Sequence, residues 1–441
     1  MTTPILDFLR TYQRRSPARL HMPGHKGRGP LGCEVWDITE VQGADALYEA
    51  AGIIARSEQN AAALFGSGRT LYSTEGSSQC VRAMLYLAAV HGPARSRQVV
   101  AARNVHRSFV SAAALLDLEV TWLWPEGGSG SICACPVTAA GLEKTLAGLD
   151  APPAAVYVTS PDYLGGMQDV AALAEVCHRY GTLLAVDNAH GAYLRFLRPS
   201  RHPLDLGADL CCDSAHKTLS VLTGGAYLHI ARTAPASLAE NAKEALALFG
   251  STSPSYLTLA SLDCFNGETD YPVRLAETVE RLTELRRCLE GAGWALADSD
   301  PLRLTVRAPR GSTGGELAER LRQGGVECEY ADLEFLVLMA TPENTPEDLA
   351  RVVTALGPAP APPAPPEELP LSRGKQVCSI RQALFAPRET IPAGESLGRI
   401  CGALTVSCPP AIPIAVSGEE ITPEAAALFA RYGVERVDVL L

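Results

Sequence analysis

Ser214-Ala215-His216-Lys217-Thr218 follows Asp209-Leu210-Cys211-Cys212-Asp213, a short strand that is apolar at its centre, and so sets a lysine just past a buried strand. A lysine in such a place is costly unless it is paired, neutral or covalently engaged. The chain has only five lysines, Lys26, Lys144, Lys217, Lys243 and Lys375, and arginine, its commoner cation, cannot form a Schiff base. Upstream, a second apolar strand, Leu183-Leu184-Ala185-Val186, ends in Asp187-Asn188-Ala189-His190. Two neighbouring strand ends, one offering a carboxylate and the other a lysine, are what pyridoxal phosphate (PLP) needs. One group serves the ring nitrogen and the other the aldehyde.

Around these two strands, apolar runs alternate with helical patterns from about residue 55 to 265. Strands are expected at Gln98–Ala102, Val120–Trp124, Ala155–Ser160, Leu183–Asp187, Asp209–Asp213 and Gly225–Ile230. Helices are expected at Ser78–His91, Ser108–Leu116, Ala139–Leu149 and Asp169–Tyr180. That alternation predicts an α/β fold, a mostly parallel sheet flanked by helices. Ligands of such sheets sit outside the carboxyl ends of the strands, where Arg103, His106, Ser160, Asp187 and Lys217 fall.

Thr74-Glu75-Gly76-Ser77-Ser78 leads straight into a helix. Gly76 permits close backbone approach, Ser77 and Ser78 can cap the helix or donate hydroxyls, and the helix N-terminus favours an anion. Alone this is an ordinary helix cap; with Asp187 and Lys217 downstream it reads as a phosphate cradle. Ser214 supplies a further hydroxyl or is a loop serine satisfied by backbone. His106 opens a helix, either as a ring stacked on the pyridine face or as a cap. Asp187 would keep the pyridine nitrogen protonated so that the ring accepts the electron pair released at Cα, or would simply cap the next helix. No obvious helix starts at His190-Gly191, which favours the first reading; His190 is placed beside the site rather than as a catalyst. His21-Met22-Pro23-Gly24-His25 is not read as a metal pair, because Pro23 and Gly24 break any helix that would align the two imidazoles. No metal is expected. Arg310-Gly311-Ser312-Thr313-Gly314-Gly315 reads as a turn before a helix and Gly127-Gly128-Ser129-Gly130 as a loop.

With 441 residues, 47% hydrophobic and 20% charged, the chain is long enough for several domains with a sizeable core. Five parts are expected: an N-terminal segment 1–54, a PLP-binding large domain 55–270, a small α+β domain 271–357, a proline-rich linker 358–370 and an appended domain 371–441. The small domain is expected to hold a helix at Arg274–Gly291, strands at Leu302–Arg307 and Glu334–Ala340, and a helix at Pro346–Leu356. A net charge of −11 argues against a nucleic-acid partner. No apolar run approaches the ~18 residues of a membrane span and no leader-like start is seen, so a cytoplasmic protein is expected. The thirteen cysteines are odd in number, and Cys80, Cys177, Cys211 and Cys212 sit in apolar segments, so reduced thiols are expected.

Taken together, these residues resemble the ornithine/lysine/arginine decarboxylases, fold-type I PLP enzymes, in their shorter form. The resemblance runs through His21-Met22-Pro23-Gly24-His25-Lys26-Gly27, Thr39-Glu40-Val41, Arg103-Asn104-Val105-His106 and Ser160-Pro161-Asp162-Tyr163. It continues with Asp187-Asn188-Ala189-His190-Gly191, Ser214-Ala215-His216-Lys217-Thr218-Leu219 and Ser251-Thr252-Ser253-Pro254-Ser255-Tyr256. It implies Lys217 as the Schiff-base lysine, Asp187 at the pyridine nitrogen, His106 as the stacking ring and His216 beside the cofactor. Lys217, His216 and His106 are the catalytic candidates. Gly76, Ser77, Ser78, Ser214 and His190 complete the cofactor-binding set. Ser251–Tyr256 would reach the neighbouring subunit's site, implying at least a homodimer.

The implied reaction is decarboxylation of a basic amino acid to its amine, in polyamine-type metabolism. Other PLP reactions, by an aminotransferase or a β-eliminating lyase, and a non-catalytic PLP-binding paralogue are the alternatives. Four departures bear on substrate and reaction. The family's Tyr-Pro-Pro-Gly-Ile-Pro is Cys408-Pro409-Pro410-Ala411-Ile412-Pro413 here, and its Pro-Gly-Glu is Ser417-Gly418-Glu419. Gly224 replaces a glutamine, and Asn188 an acidic residue.

Overall fold

A computed structural model of the chain describes residues 1–126, 130–363, 368–371, 373–404 and 411–441. Gly127-Gly128-Ser129, where a loop is expected, part of the proline-rich stretch (364–367) and Cys408-Pro409-Pro410 lie outside the described residues.

Seven strands form the main sheet: β1 (Arg69–Ser73), β2 (Gln98–Ala102), β3 (Glu119–Leu123), β4 (Ala155–Thr159), β5 (Leu183–Asp187), β6 (Leu210–Asp213) and β7 (Ala226–Ile230). Their order is β1-β7-β6-β5-β4-β2-β3. β5 and β6 pair in parallel with Asp187 opposite Cys212, and β2 pairs in parallel with β3. Within this sheet, only β7 runs against its neighbours β6 and β1 in the pairs described. Every residue of β5, β6 and β7 is buried, which is why these strands read as continuous apolar runs rather than alternating ones. The helices up to β5 are α1 (Pro4–Arg15), α2 (Ile53–Phe65), α3 (Ser77–Tyr86), α4 (Arg107–Leu116), α5 (Ala139–Ala147) and α6 (Val170–Arg179). This is the expected α/β architecture of fold-type I.

Some details differ from expectation. β1 has no counterpart among the expected strands: five residues between an arginine and a serine carry too little pattern, and only pairing with β7 makes them a strand. β3 is shifted by one residue, to Glu119–Leu123. The helix expected over Ser78–His91 runs from Ser77 to Tyr86, and Leu87–His91 is a π turn. Its serines do not cap it, because the N-cap residue is Gly76. A five-residue 3₁₀ turn, Ala192–Phe196, follows His190-Gly191.

The chain forms two compact units. The first comprises Met1–Ser96, Ala151–Tyr157 and Val170–Pro272; the second comprises Arg97–Asp150, Val158–Asp169 and Val273–Leu441. In the first, an aromatic core packs Phe65 at a tilt against His229 (4.6 Å between centroids) and Tyr227 (5.1 Å), and Phe265 edge-on against Tyr271 (5.0 Å). In the second, a core of Ile132, Leu164, Val337, Ile414, Phe429 and Val439 underlies the sheet of β8 (Arg303–Arg307), β9 (Tyr330–Ala331) and β10 (Phe335–Met339) and the pair β11 (Arg388–Pro392) and β12 (Arg436–Leu440). Thr313 caps the helix Gly314–Gln323 in a reciprocal bond with Glu316, so the glycine-rich turn expected there is a built helix start. Among the described residues no helix is long and apolar enough to cross a membrane.

Candidate active site

In the first unit, the ends of β5 and β6 carry the residues that the sequence singled out. Ser214-Ala215-His216-Lys217-Thr218 turns sharply off β6; its helical part, Ala215–Thr218, is a single turn. Bonds to three neighbouring segments help fix that turn. His216 N–H donates to Gly225 O (3.2 Å), Tyr271 donates its hydroxyl to Thr218 O (3.0 Å), and Ser214 donates to Ser77 Oγ (2.8 Å). The lysine amine thereby meets Nε2 of His190 at 2.6 Å. His190 is buried and Lys217 half-buried.

Asp187 closes β5 with its carboxylate engaged on the protein side. Oδ2 accepts the Tyr157 hydroxyl at 2.9 Å, and Oδ1 accepts Ala189 N–H at 3.2 Å and lies 3.6 Å from Cys212 Sγ. Burial, and then the charge of Asp187, pushes the Tyr157 hydroxyl well above its ordinary range, so it stays a donor. Sequence reasoning misses Tyr157. Its signal is a polar-tipped aromatic on the strand Ala155–Thr159 that enters this layer.

The Ser214–Ser77 bond joins the lysine turn to the N-terminus of α3. Gly76 there has φ +72°, a conformation glycine adopts freely, and a side chain at this position would meet nothing within 4 Å. Gly76, Ser77 and Ser78 are all half-buried and stand at the positive end of α3. Gly224 stands opposite. Its φ is +93°, its carbonyl accepts Gly76 N–H at 2.8 Å, and an added Cβ would lie 2.7 Å from Thr74 O. No glutamine fits at 224 in this backbone, which accounts for that departure.

The donor set suits PLP. An open helix N-terminus with two serine hydroxyls takes a phosphate, a carboxylate takes a protonated ring nitrogen, and an amine takes an aldehyde. Three other candidates, His106, Arg103 and Ser160, lie in the second unit. His106 is the N-cap of α4, its Nδ1 accepting Ser108 N–H at 3.2 Å. Arg103 is buried, bonded to Pro413 O (2.8 Å), Ile414 O (3.0 Å) and Glu419 Oε2 (3.1 Å), and packed over Trp122 and Trp124. It is therefore engaged in holding that unit together. Ser160 Oγ accepts Gln168 N–H at 3.1 Å. In the first unit, the first three residues of Ser251–Tyr256 are exposed, whereas Tyr256 is buried against its own chain and donates to Asp45 O at 2.6 Å. His21 and His25 have separate partners, Tyr12 (2.8 Å) and Asp37 (3.1 Å).

His202, Cys211 and Asp213 bring three ligand-type atoms within 4.8 Å of one another. Nδ1 of His202 accepts Leu204 N–H at 3.4 Å, which puts the ring proton on Nε2, facing Asp213 Oδ2 at 3.0 Å. The cluster is a hydrogen-bond network, joined by His229 on the same oxygen at 3.1 Å.

Residues 3–305 match the family model for the major domain of the Orn/Lys/Arg decarboxylases, and the chain belongs to that family of amino-acid decarboxylases. Two proteins of Bacillus subtilis are each 28% identical over 96% of this chain: an uncharacterized protein, YaaO, of which 93% is covered, and an arginine decarboxylase, of which 92% is covered. Among solved structures, the lysine decarboxylase LdcF of Francisella novicida superposes with a TM-score of 0.82 at 17% identity, covering 100% of this chain and 81% of that one.

Proposed function

We propose that the chain removes the α-carboxylate of a basic amino acid, lysine, ornithine or arginine, using PLP held at Lys217. One observation carries this reading: Lys217 Nζ lies 2.6 Å from His190 Nε2 while Asp187 ends the adjacent strand. Bound there, PLP would supply an electron-withdrawing ring that takes up the pair left at Cα as carbon dioxide departs.

The chain's residues have these roles in the proposal. Lys217 anchors the cofactor through Nζ, and His190 exchanges a proton with that nitrogen. Asp187 keeps a proton on the ring nitrogen, with Tyr157 holding its carboxylate in place. Gly76, Ser77, Ser78 and Ser214 bind the phosphate, and His216 lies beside the ring. The leaving carboxylate must stand perpendicular to the ring, and fixing that orientation is the work of the substrate-facing side chains. Decarboxylation replaces the carboxylate at Cα by a proton, giving a primary amine and carbon dioxide. A homodimer, with Ser251–Tyr256 at the neighbour's site, is part of the proposal.

The test is a panel of lysine, ornithine and arginine incubated with protein and PLP, with products identified by mass spectrometry. An amine with stoichiometric carbon dioxide supports the reading. A keto acid, or no product from a PLP-loaded protein, overturns it.

A further inference from the structure

Asp213 is fully buried, and four groups surround its carboxylate, Cys211 Sγ among them at 3.6 Å from Oδ1. Oδ2 accepts Nε2–H of both His202 (3.0 Å) and His229 (3.1 Å), and Oδ1 accepts Nδ2–H of Asn188 (2.7 Å). Burial alone would raise this carboxyl, but the two imidazoles hold it below the usual carboxylate range. Position 188 thus faces a carboxylate and has to donate. Asn188 is also fully buried, and its backbone N–H donates to Cys212 O at 3.0 Å. Main chain and side chain of one residue therefore grip consecutive residues of β6.

The location of this grip matters. Asn188 directly follows Asp187 and stands two residues before His190, while Asp213 directly precedes Ser214 and stands four before Lys217. The Asn188 amide thus bridges the two strand ends that carry all four. A carboxylate at 188 would stand 2.7 Å from that of Asp213, with both side chains fully buried.

We infer that Asn188 and Asp213 are a positioning pair, whose single hydrogen bond sets the alignment of Lys217 with His190 and Asp187 on bound PLP. Both residues are fully buried and act through the strand ends. The inference rests on the proposed PLP-dependent function.

The experiment compares wild type with Asn188→Asp, Asn188→Ala and the exchanged pair Asn188→Asp/Asp213→Asn. In the exchanged pair the amide placed at position 213 would accept from both histidines and donate to the carboxylate placed at position 188, so the charge is moved rather than lost. The readouts are PLP affinity, the visible circular dichroism of bound PLP (which senses ring orientation), and the urea midpoint without PLP. Asn188→Asp is expected to weaken PLP binding at least about tenfold and to alter the dichroism, with kcat reduced more than KM. The exchange is expected to recover affinity to within about threefold and to restore the wild-type dichroism. If Asn188→Asp does not fold, Asn188→Ala is expected to give the altered dichroism in a folded protein. Wild-type dichroism and affinity in folded Asn188→Asp or Asn188→Ala, or an exchanged pair no better than Asn188→Asp, would overturn the inference. Failure of wild type itself to bind PLP overturns the functional reading instead.

Discussion

Lys217 Nζ and His190 Nε2 stand 2.6 Å apart although 27 residues separate them in the chain. An amine and an imidazole this close are in hydrogen-bond contact, which fixes where the lysine nitrogen stands at the end of β6. The contact exists because β5 and β6 are parallel neighbours, whose carboxyl ends deliver both side chains to the same level.

Covalent trapping tests the anchor directly. Borohydride reduction of the PLP-loaded protein, followed by peptide mapping, is expected to label Lys217 alone among the five lysines. Lys217→Ala is expected to lose the visible absorbance and all turnover. A label elsewhere, or turnover retained by the variant, refutes the assignment.

Tyr157→Phe removes the hydroxyl that donates to Asp187 Oδ2 at 2.9 Å. A buried hydrogen bond to a charged group contributes about 1.5–3 kcal/mol, so the variant should unfold at lower urea by that amount. Freed on one side, Asp187 would orient less well, and kcat should fall with PLP still bound. An unchanged urea midpoint would show that Oδ2 has found another donor.

Ala411 has φ +62°, with its carbonyl accepting Arg107 N–H at 2.9 Å. The left-handed region costs an ordinary residue roughly 1–2 kcal/mol. The family carries glycine at this position, and Ala411→Gly is therefore expected to stabilise the protein by about 1 kcal/mol, read as a raised thermal midpoint. A lowered midpoint would mean that the methyl group's packing outweighs the backbone strain.

Asp162 gives a pH signature. Burial pushes its carboxyl up to about 6 from 3.8, against the N–H bonds of Gly166 and Leu164 and the charge of Arg303. Between these two values the folded chain binds more protons than the unfolded one, so this group's contribution to stability rises as pH falls through 6 and levels off below 3.8. The span is on the order of 3 kcal/mol. Asp162→Asn, whose amide oxygen can still accept both N–H groups, should gain stability at about pH 8 and flatten the slope of urea midpoint against pH. A slope equal to wild type would assign that pH dependence to other groups.

Much of the candidate site is proposed from residues that stand out before folding. Gly76-Ser77-Ser78, Asp187 and Lys217 announce themselves because each is a polar group next to an apolar run that must be buried, in the chain order of a parallel sheet. Arg103 sits at an equally promising strand end, yet it turns into a buried ion pair with Glu419, at a sequence distance no local pattern can bridge. The departures at 224 and 188 are visible in the sequence as letters without reasons. Their reasons are spatial: Thr74 O lies against Gly224, and a second carboxylate, Asp213, lies against Asn188.

Sequence alone determined the alternation of strands and helices, and with it the strand ends where chemistry can occur, because hydrophobic periodicity is a local property that each segment carries with it. Tertiary structure decided which of those ends meet. The His190–Lys217 contact, the Tyr157 hydroxyl on Asp187 and the buried His202–Asp213–His229 network all depend on strand order and register. Those are set only when distant segments pack, since a carboxylate or an amine can leave water only if its partner arrives at the same time.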